Sequence, residues 1–103
     1  MNIKYYNKPF EDSPKYIQPE SVDLFWLDPP YYISGNKKAK ANLESGNRYD
    51  WDTQWSSKEE FKQWTKQYLK LAYNQLKSNG SIYVCIQWQT SNLIQDALEE
   101  VGF

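Results

Sequence analysis

An α/β fold with parallel strands is what this sequence predicts, and three observations predict it. Two short runs rich in apolar residues, 22–27 and 81–86, have the length and the Val, Ile and aromatic content of buried strands. Between them Phe61, Trp64, Tyr68, Leu71, Ala72 and Leu76 recur at steps of three and four, which marks one face of a helix running to about Lys77. A second helical face, Leu93, Ile94, Ala97, Leu98 and Val101, follows the second run. Strand, loop, helix, strand, helix is the rhythm of a parallel α/β sheet, in which ligands sit outside the carboxyl ends of the strands.

The N-terminal stretch 1–21 is polar and aromatic, with prolines at 9, 14 and 19. Ile3-Lys4-Tyr5-Tyr6 is expected to form a short strand, and the proline-rich part turns or one short helical turn. The run 22–27 stops at Asp28-Pro29-Pro30, because neither proline can donate to a sheet ladder. Residues 34–50 are expected to be a mobile loop, from Ser34-Gly35-Asn36, Ser45-Gly46-Asn47 and the cations Lys37, Lys38, Lys40 and Arg48. Ser57 stands three residues before Glu60, the spacing of a capping box, and Asn79-Gly80 is expected to end the helix that follows. Ser91 or Asn92 is expected to cap the last helix and Gly102 to close it. No internal repeat is visible, and 103 residues suffice for a single domain.

Composition excludes several kinds of function. A net charge of −1 is not that of a protein that coats nucleic acid through a general basic field. The absence of His removes the commonest general base and metal ligand, and a single Cys precludes an internal disulfide or a Cys-rich zinc site. Cys85, inside an apolar run, is expected to be a core residue rather than a nucleophile. No long apolar run or signal-peptide pattern is present, so a cytoplasmic protein with no membrane and no metal partner is expected. Aromatics reach 17%, enough to build a core in a short chain or to stack on bases.

Asp28-Pro29-Pro30-Tyr31 carries the chemistry. Each proline fixes its own φ and pushes the residue before it into extended conformation, so Asp28 and Pro29 are both held extended. The Asp28 carboxylate and the Pro29 carbonyl are both acceptors, and neither proline offers a competing N–H. Such a pair suits a nitrogen bearing two hydrogens, such as the amino group of a base, and Tyr31 offers a face for stacking. The alternative use of the same residues is a tight turn after a buried strand, with Asp28 capping the next segment.

The segment from Val22 through Tyr31 resembles the catalytic motif of N6-adenine and N4-cytosine DNA methyltransferases. The resemblance extends over about residues 20–103, through Tyr49-Asp50-Trp51-Asp52, the helix, Leu76-Lys77-Ser78-Asn79-Gly80-Ser81-Ile82-Tyr83-Val84 and the C-terminal Glu99-Glu100-Val101-Gly102-Phe103. This order is similar to that of type II restriction-modification enzymes whose catalytic block precedes the cofactor block. It implies a partial Rossmann-like sheet with flanking helices, of the class that uses S-adenosylmethionine. It further implies double-stranded DNA as partner and a cognate restriction endonuclease as companion.

By the same resemblance the target base is flipped out of the duplex and stacks on Tyr31, and its amino hydrogens are accepted by Asp28 and Pro29, with Pro30 stiffening the motif. Asp28 and Pro29 also border the cofactor. Asp in the first position tilts the expectation to N6 of adenine, with N4 of cytosine as the alternative. A methyltransferase of RNA or protein, and a non-catalytic fragment, are the other readings. Lys37, Lys38, Lys40 and Arg48 are candidate phosphate contacts or simply a solvated loop, and Trp51-Asp52 is a recurrent family pair or a Trp packed under the helix start.

Two departures stand out. Where the family carries a Gly-Asp pair near the N-terminus, this chain has Asn7-Lys8-Pro9-Phe10-Glu11-Asp12. The four glycines, at 35, 46, 80 and 102, never take nucleotide-loop spacing. The cofactor loop and target-recognition region are therefore expected to be missing from residues 1–103, which alone are expected to be inactive and to leave an apolar sheet face open.

Overall fold

A computed structural model of the chain describes residues 2–32 and 55–103. Among these it shows a mixed α/β arrangement in the order 3-10 turn Phe10–Lys15, strand β1 (Val22–Leu27), helix α1 (Lys58–Gln75), strand β2 (Leu76–Val84), 3-10 turn Trp88–Thr90 and helix α2 (Ser91–Val101). β1 and β2 pair in parallel, as the order of elements predicted. The 34–50 loop, Trp51-Asp52 and the cations Lys37, Lys38, Lys40 and Arg48 lie outside the described residues.

The elements start and stop for identifiable reasons. Ser57 takes an extended conformation before α1, and its Oγ accepts the Glu60 N–H at 3.1 Å. The Glu60 carboxylate reaches back to the Ser56 N–H at 3.0 Å and to the Ser56 hydroxyl, one residue earlier than a strict capping box. These bonds from Ser56, the side chain first and the backbone second, hold the Glu60 carboxyl below its ordinary range. At its other end α1 closes at Gln75, with Leu76 already extended, rather than running on to Asn79-Gly80.

Asn79-Gly80 falls instead inside the first part of β2. There the register steps five residues, from Leu76 to Ser81, while β1 steps only two, from Val22 to Leu24. Glycine at 80 lets the bulge close without displacing Leu76, since a Cβ there would lie 2.6 Å from Leu76 Cδ1 and 3.1 Å from the Asp23 carbonyl oxygen. α2 begins after Thr90, whose hydroxyl donates to the Gln87 carbonyl at 3.0 Å and makes no cap bond to the helix, so neither Ser91 nor Asn92 is the cap. Gly102 ends α2 as expected, at φ 129°, with its N–H on the Leu98 carbonyl.

Two aromatic-rich clusters hold the helices to one face of the sheet. Trp55, Phe61 and Ile94 form the first. Tyr68, Leu69 and Ala97 form the second, against Phe10, Leu27, Ile82 and Val84. Trp64, Leu98 and Val84 touch both. The helical face read from sequence is right at Phe61, Tyr68 and Ala72, but Thr65, Leu69 and Gln75 are buried beside them. Lys62 and Lys66 of α1 bind the Glu100 carboxylate of α2 at 2.7 and 3.0 Å.

Three further expectations need correction. Ile3-Lys4-Tyr5-Tyr6 is exposed and forms no strand, since nothing in the described structure pairs with it; Tyr6 instead stacks on Tyr16 at 4.2 Å. The strands are not buried on both faces: Leu24, Trp26 and Tyr83 point away from the helices and remain exposed. Cys85 lies just past β2 and is half-buried rather than in the core, its N–H bonded to the Leu27 carbonyl at 2.8 Å.

Candidate active site

The carboxyl ends of β1 and β2 lie side by side, with Leu27 opposite Val84. Asp28 leaves β1 at that end and is exposed, while Pro29, Pro30, Tyr31 and Tyr32 behind it are half-buried. Tyr32 anchors the segment by packing its ring on Phe61, 5.5 Å between centroids. The Tyr31 hydroxyl donates to Asp28 Oδ1 at 3.3 Å, a long bond that turns the phenol and the carboxylate of the motif toward each other.

Asp28, Pro29 and Pro30 line a cavity of about 310 Å³. Its other walls are Phe10 and Glu11 from the first 3-10 turn, Trp26 and Leu27 from β1, and Trp64 and Tyr68 from α1. Aromatic walls with a few convergent polar groups are the usual make-up of a small-molecule or base pocket. Two carboxylates, Glu11 and Asp28, stand among these lining residues without a lysine or arginine. These described walls therefore suit a ligand that presents hydrogen-bond donors or positive charge toward them.

Tyr68 is the most buried of the lining rings, and among the described residues its hydroxyl makes no well-formed hydrogen bond, the Thr65 hydroxyl lying near it. Burial pushes its ionisation well above the ordinary tyrosine range, so at neutral pH it is a neutral hydroxyl.

Sequence reasoning placed the four motif residues at a strand end, and the structure gathers three of them, Asp28, Pro29 and Pro30, at one cavity, with Tyr31 joined to them through its bond to Asp28. It did not foresee Phe10, Glu11, Trp64 and Tyr68 as walls of that cavity. Trp64 and Tyr68 were legible only as a helical face. Phe10 and Glu11 come from the segment where the family's Gly-Asp pair is missing, and only tertiary packing shows that this segment still reaches the site.

A match to the DNA methylase family, that of the N6/N4 methyltransferases, runs over residues 22–103. The chain is 32% identical to the type II methyltransferase M2.DpnII of Streptococcus pneumoniae, over all of this chain and 42% of the relative. It is 36% identical to the type II methyltransferase M2.LlaDCHI of Lactococcus lactis subsp. cremoris, over 84% of this chain and 33% of that relative. The strand-end motif and these matches define the class as amino-methyltransferases, and the chain belongs to the DNA methylase family. It spans about two-fifths or less of the length of the two relatives.

Enzymes of this family act on DNA and generally take their methyl group from S-adenosylmethionine. The described residues fit that cofactor only in part. A nucleotide needs a close backbone approach, usually over glycine. The cavity at Asp28 has no described glycine in its lining: Gly80 and Gly102 border a separate cavity of about 390 Å³ beside Tyr73, Leu76 and Lys77. Among the described residues no cluster could hold a metal ion, and no helix is long and apolar enough to cross a membrane.

Proposed function

We propose that this chain supplies the target-amino-group site of a DNA methyltransferase acting on N6 of adenine. The observation that supports the reading is the position of Asp28-Pro29-Pro30-Tyr31 at the carboxyl end of β1, where Asp28, Pro29 and Pro30 line an aromatic-walled cavity whose described lining residues include two carboxylates and no cation. In this reading the Asp28 carboxylate and the Pro29 carbonyl accept the two hydrogens of the amino nitrogen. That draws its lone pair out of ring conjugation and fixes its direction. Tyr31 stacks on the flipped base, and its hydroxyl steadies the Asp28 carboxylate. Pro30 keeps the motif stiff. Catalysis by such a site is positioning and fixed polarity.

S-adenosylmethionine, when bound, would supply the methyl group, with Asp28 and Pro29 on its border. The remaining walls of its site are assigned to polypeptide outside residues 1–103. The two strands are then part of a larger Rossmann-like sheet, with the 34–50 segment and its cations Lys37, Lys38, Lys40 and Arg48 contacting DNA phosphates. Double-stranded DNA is the substrate, and a cognate restriction endonuclease is the companion activity. Asp rather than Ser at position 28 favours adenine.

The test joins residues 1–103 in frame to the part of M2.DpnII outside the matched region. The joined protein is incubated with duplex DNA and S-adenosylmethionine, and the DNA is digested to nucleosides. N6-methyl-2′-deoxyadenosine is expected by mass, and Asp28→Ala is expected to remove it while DNA binding persists, because phosphate contacts carry most of the affinity. N4-methyl-2′-deoxycytidine alone would overturn the choice of base. An unchanged rate in the Asp28 variant would overturn the role of the motif.

A further inference from the structure

The end of the sheet that presents Asp28 also presents a bare indole. Trp88 stands 78% exposed in the 3-10 turn between β2 and α2. Both flanks of that turn are fixed. On one side the Cys85 N–H is bonded at 2.8 Å to the carbonyl of Leu27, the residue before Asp28. On the other, Thr90 is buried, and its N–H and hydroxyl both donate to the Gln87 carbonyl at 3.0 Å. A pinned backbone therefore holds the ring out into solvent. Trp26, the other exposed indole among the described residues, stacks on Tyr83, whereas no described ring packs on Trp88. Nor is Trp88 among the described walls of the Asp28 cavity, so it stands beside the target site and not in it.

We propose that Trp88 stacks on a base of the duplex beside the flipped target and fills part of the gap that flipping leaves. The inference rests on the target site proposed at Asp28. The three residues from Cys85 to Trp88 reach at most about 10 Å, and the bases of one strand repeat about every 3.4 Å. A base within about three steps of the one held at Asp28 is thus in range of the indole. Flipping gives up the stacking of the target on its neighbours, and an apolar wedge at the vacated step restores contact there. An indole serves any sequence, because every base has a face on which it can lie. Residues 78–95 carry no charge, so no carboxylate next to Trp88 along the chain repels the phosphates of that strand. The cofactor and the polypeptide outside residues 1–103 are the competing occupants.

The test measures binding of the joined protein, by fluorescence anisotropy, to the duplex it methylates and to the same duplex with an abasic site at the target. Trp88→Ala should weaken both about 5–150-fold, the range of one ring stacked on one base, and Trp88→Phe should weaken them less. Tyr31→Ala should weaken only the first, because its partner is the target base itself. 2-Aminopurine placed next to the target should stay dim in the parent complex, quenched by the indole, and brighten in the Trp88→Ala complex but not in the Tyr31→Ala complex. A Trp88→Ala protein that binds both duplexes like the parent would overturn the proposal, as would a loss confined to the duplex that keeps its target base. A lower melting temperature without DNA would assign the ring to covering polypeptide, and weaker S-adenosylmethionine binding by calorimetry would assign it to the cofactor; either would overturn the proposal. No methylation of any duplex, or transfer unaffected by Asp28→Ala, would overturn the target site instead, so the two failures are told apart.

Discussion

Ser13 is a small residue with a large expected effect. It lies fully buried in the first 3-10 turn, and its hydroxyl oxygen accepts Gln75 Nε2–H at 2.8 Å from the end of α1. The other end of the same amide, Gln75 Oε1, has no partner. Ser13→Ala therefore leaves a whole carboxamide buried and unsatisfied, at a cost of about 1–3 kcal/mol. In a domain of this size each kcal/mol moves the melting temperature by about 4–8 °C, so a fall of roughly 4–24 °C is expected. Pairing Ser13→Ala with Gln75→Leu removes both polar partners and should recover most of the loss, because an apolar pair of similar shape leaves nothing unsatisfied. Urea unfolding followed by far-ultraviolet circular dichroism measures all three proteins. A loss below about 0.5 kcal/mol, the range of ordinary surface changes, would refute the argument, as would a double variant no better than the single one. The pair matters to the site because the same turn carries Phe10 and Glu11 to the cavity beside Asp28.

Other substitutions probe the motif and the helices. In the joined protein Tyr31→Phe should retain more methyl transfer than Tyr31→Ala, since ring stacking is worth about 1–3 kcal/mol per base; equal damage in single-turnover assays would assign the role to the hydroxyl. Tyr68→Phe removes a buried hydroxyl that makes no well-formed hydrogen bond among the described residues, so its unfolding free energy should match or exceed that of the parent chain, and a loss of stability would mean that the neighbouring Thr65 hydroxyl satisfies it in solution. Acid should weaken the fold through Glu60 and Glu100, whose carboxyls are held below the ordinary value of 4.5, chiefly by Ser56 and by Lys62 respectively. Their contribution is complete above that value and is lost as pH falls through the lowered folded-state values. Glu100→Gln should flatten the stability profile in this window, and an unchanged profile by thermal melts from pH 3 to 7 would show that the ion pairs with Lys62 and Lys66 contribute nothing.

Much of this was legible in the sequence for physical reasons. The run Val22–Leu27 could end only where the prolines began, and the 3.6-residue spacing of Phe61, Tyr68 and Ala72 could belong only to a helix packed on something. The parallel pairing followed from the helix between the strands. What escaped was tertiary. Ile3-Lys4-Tyr5-Tyr6 has strand-like residues but no neighbour to pair with, and a strand without a partner is not a strand. Apolar runs at 22–27 and 81–86 read as buried on both faces, yet composition cannot say whether a covering layer is present, and Trp26 and Tyr83 are bare. The motif was visible, but its cavity was not. The cavity is assembled from a 3-10 turn, a strand end and a helix face that together span more than fifty residues of the chain.

The bulge at the start of β2 uncouples two periodicities. α1 stops at Gln75, where its own packing ends, and pairing with β1 settles only from Ser81 onward. The residues between act as slack, so the phase of the helix need not match the pleat of the strand. Adding or removing one residue at 77–79 should therefore change only the size of a surface kink. The same change at 82–84 would exchange the two sides of the sheet, turning Tyr83 toward the helices and Ile82 and Val84 to the outside. Length variation in this protein should be tolerated at the first place and not at the second.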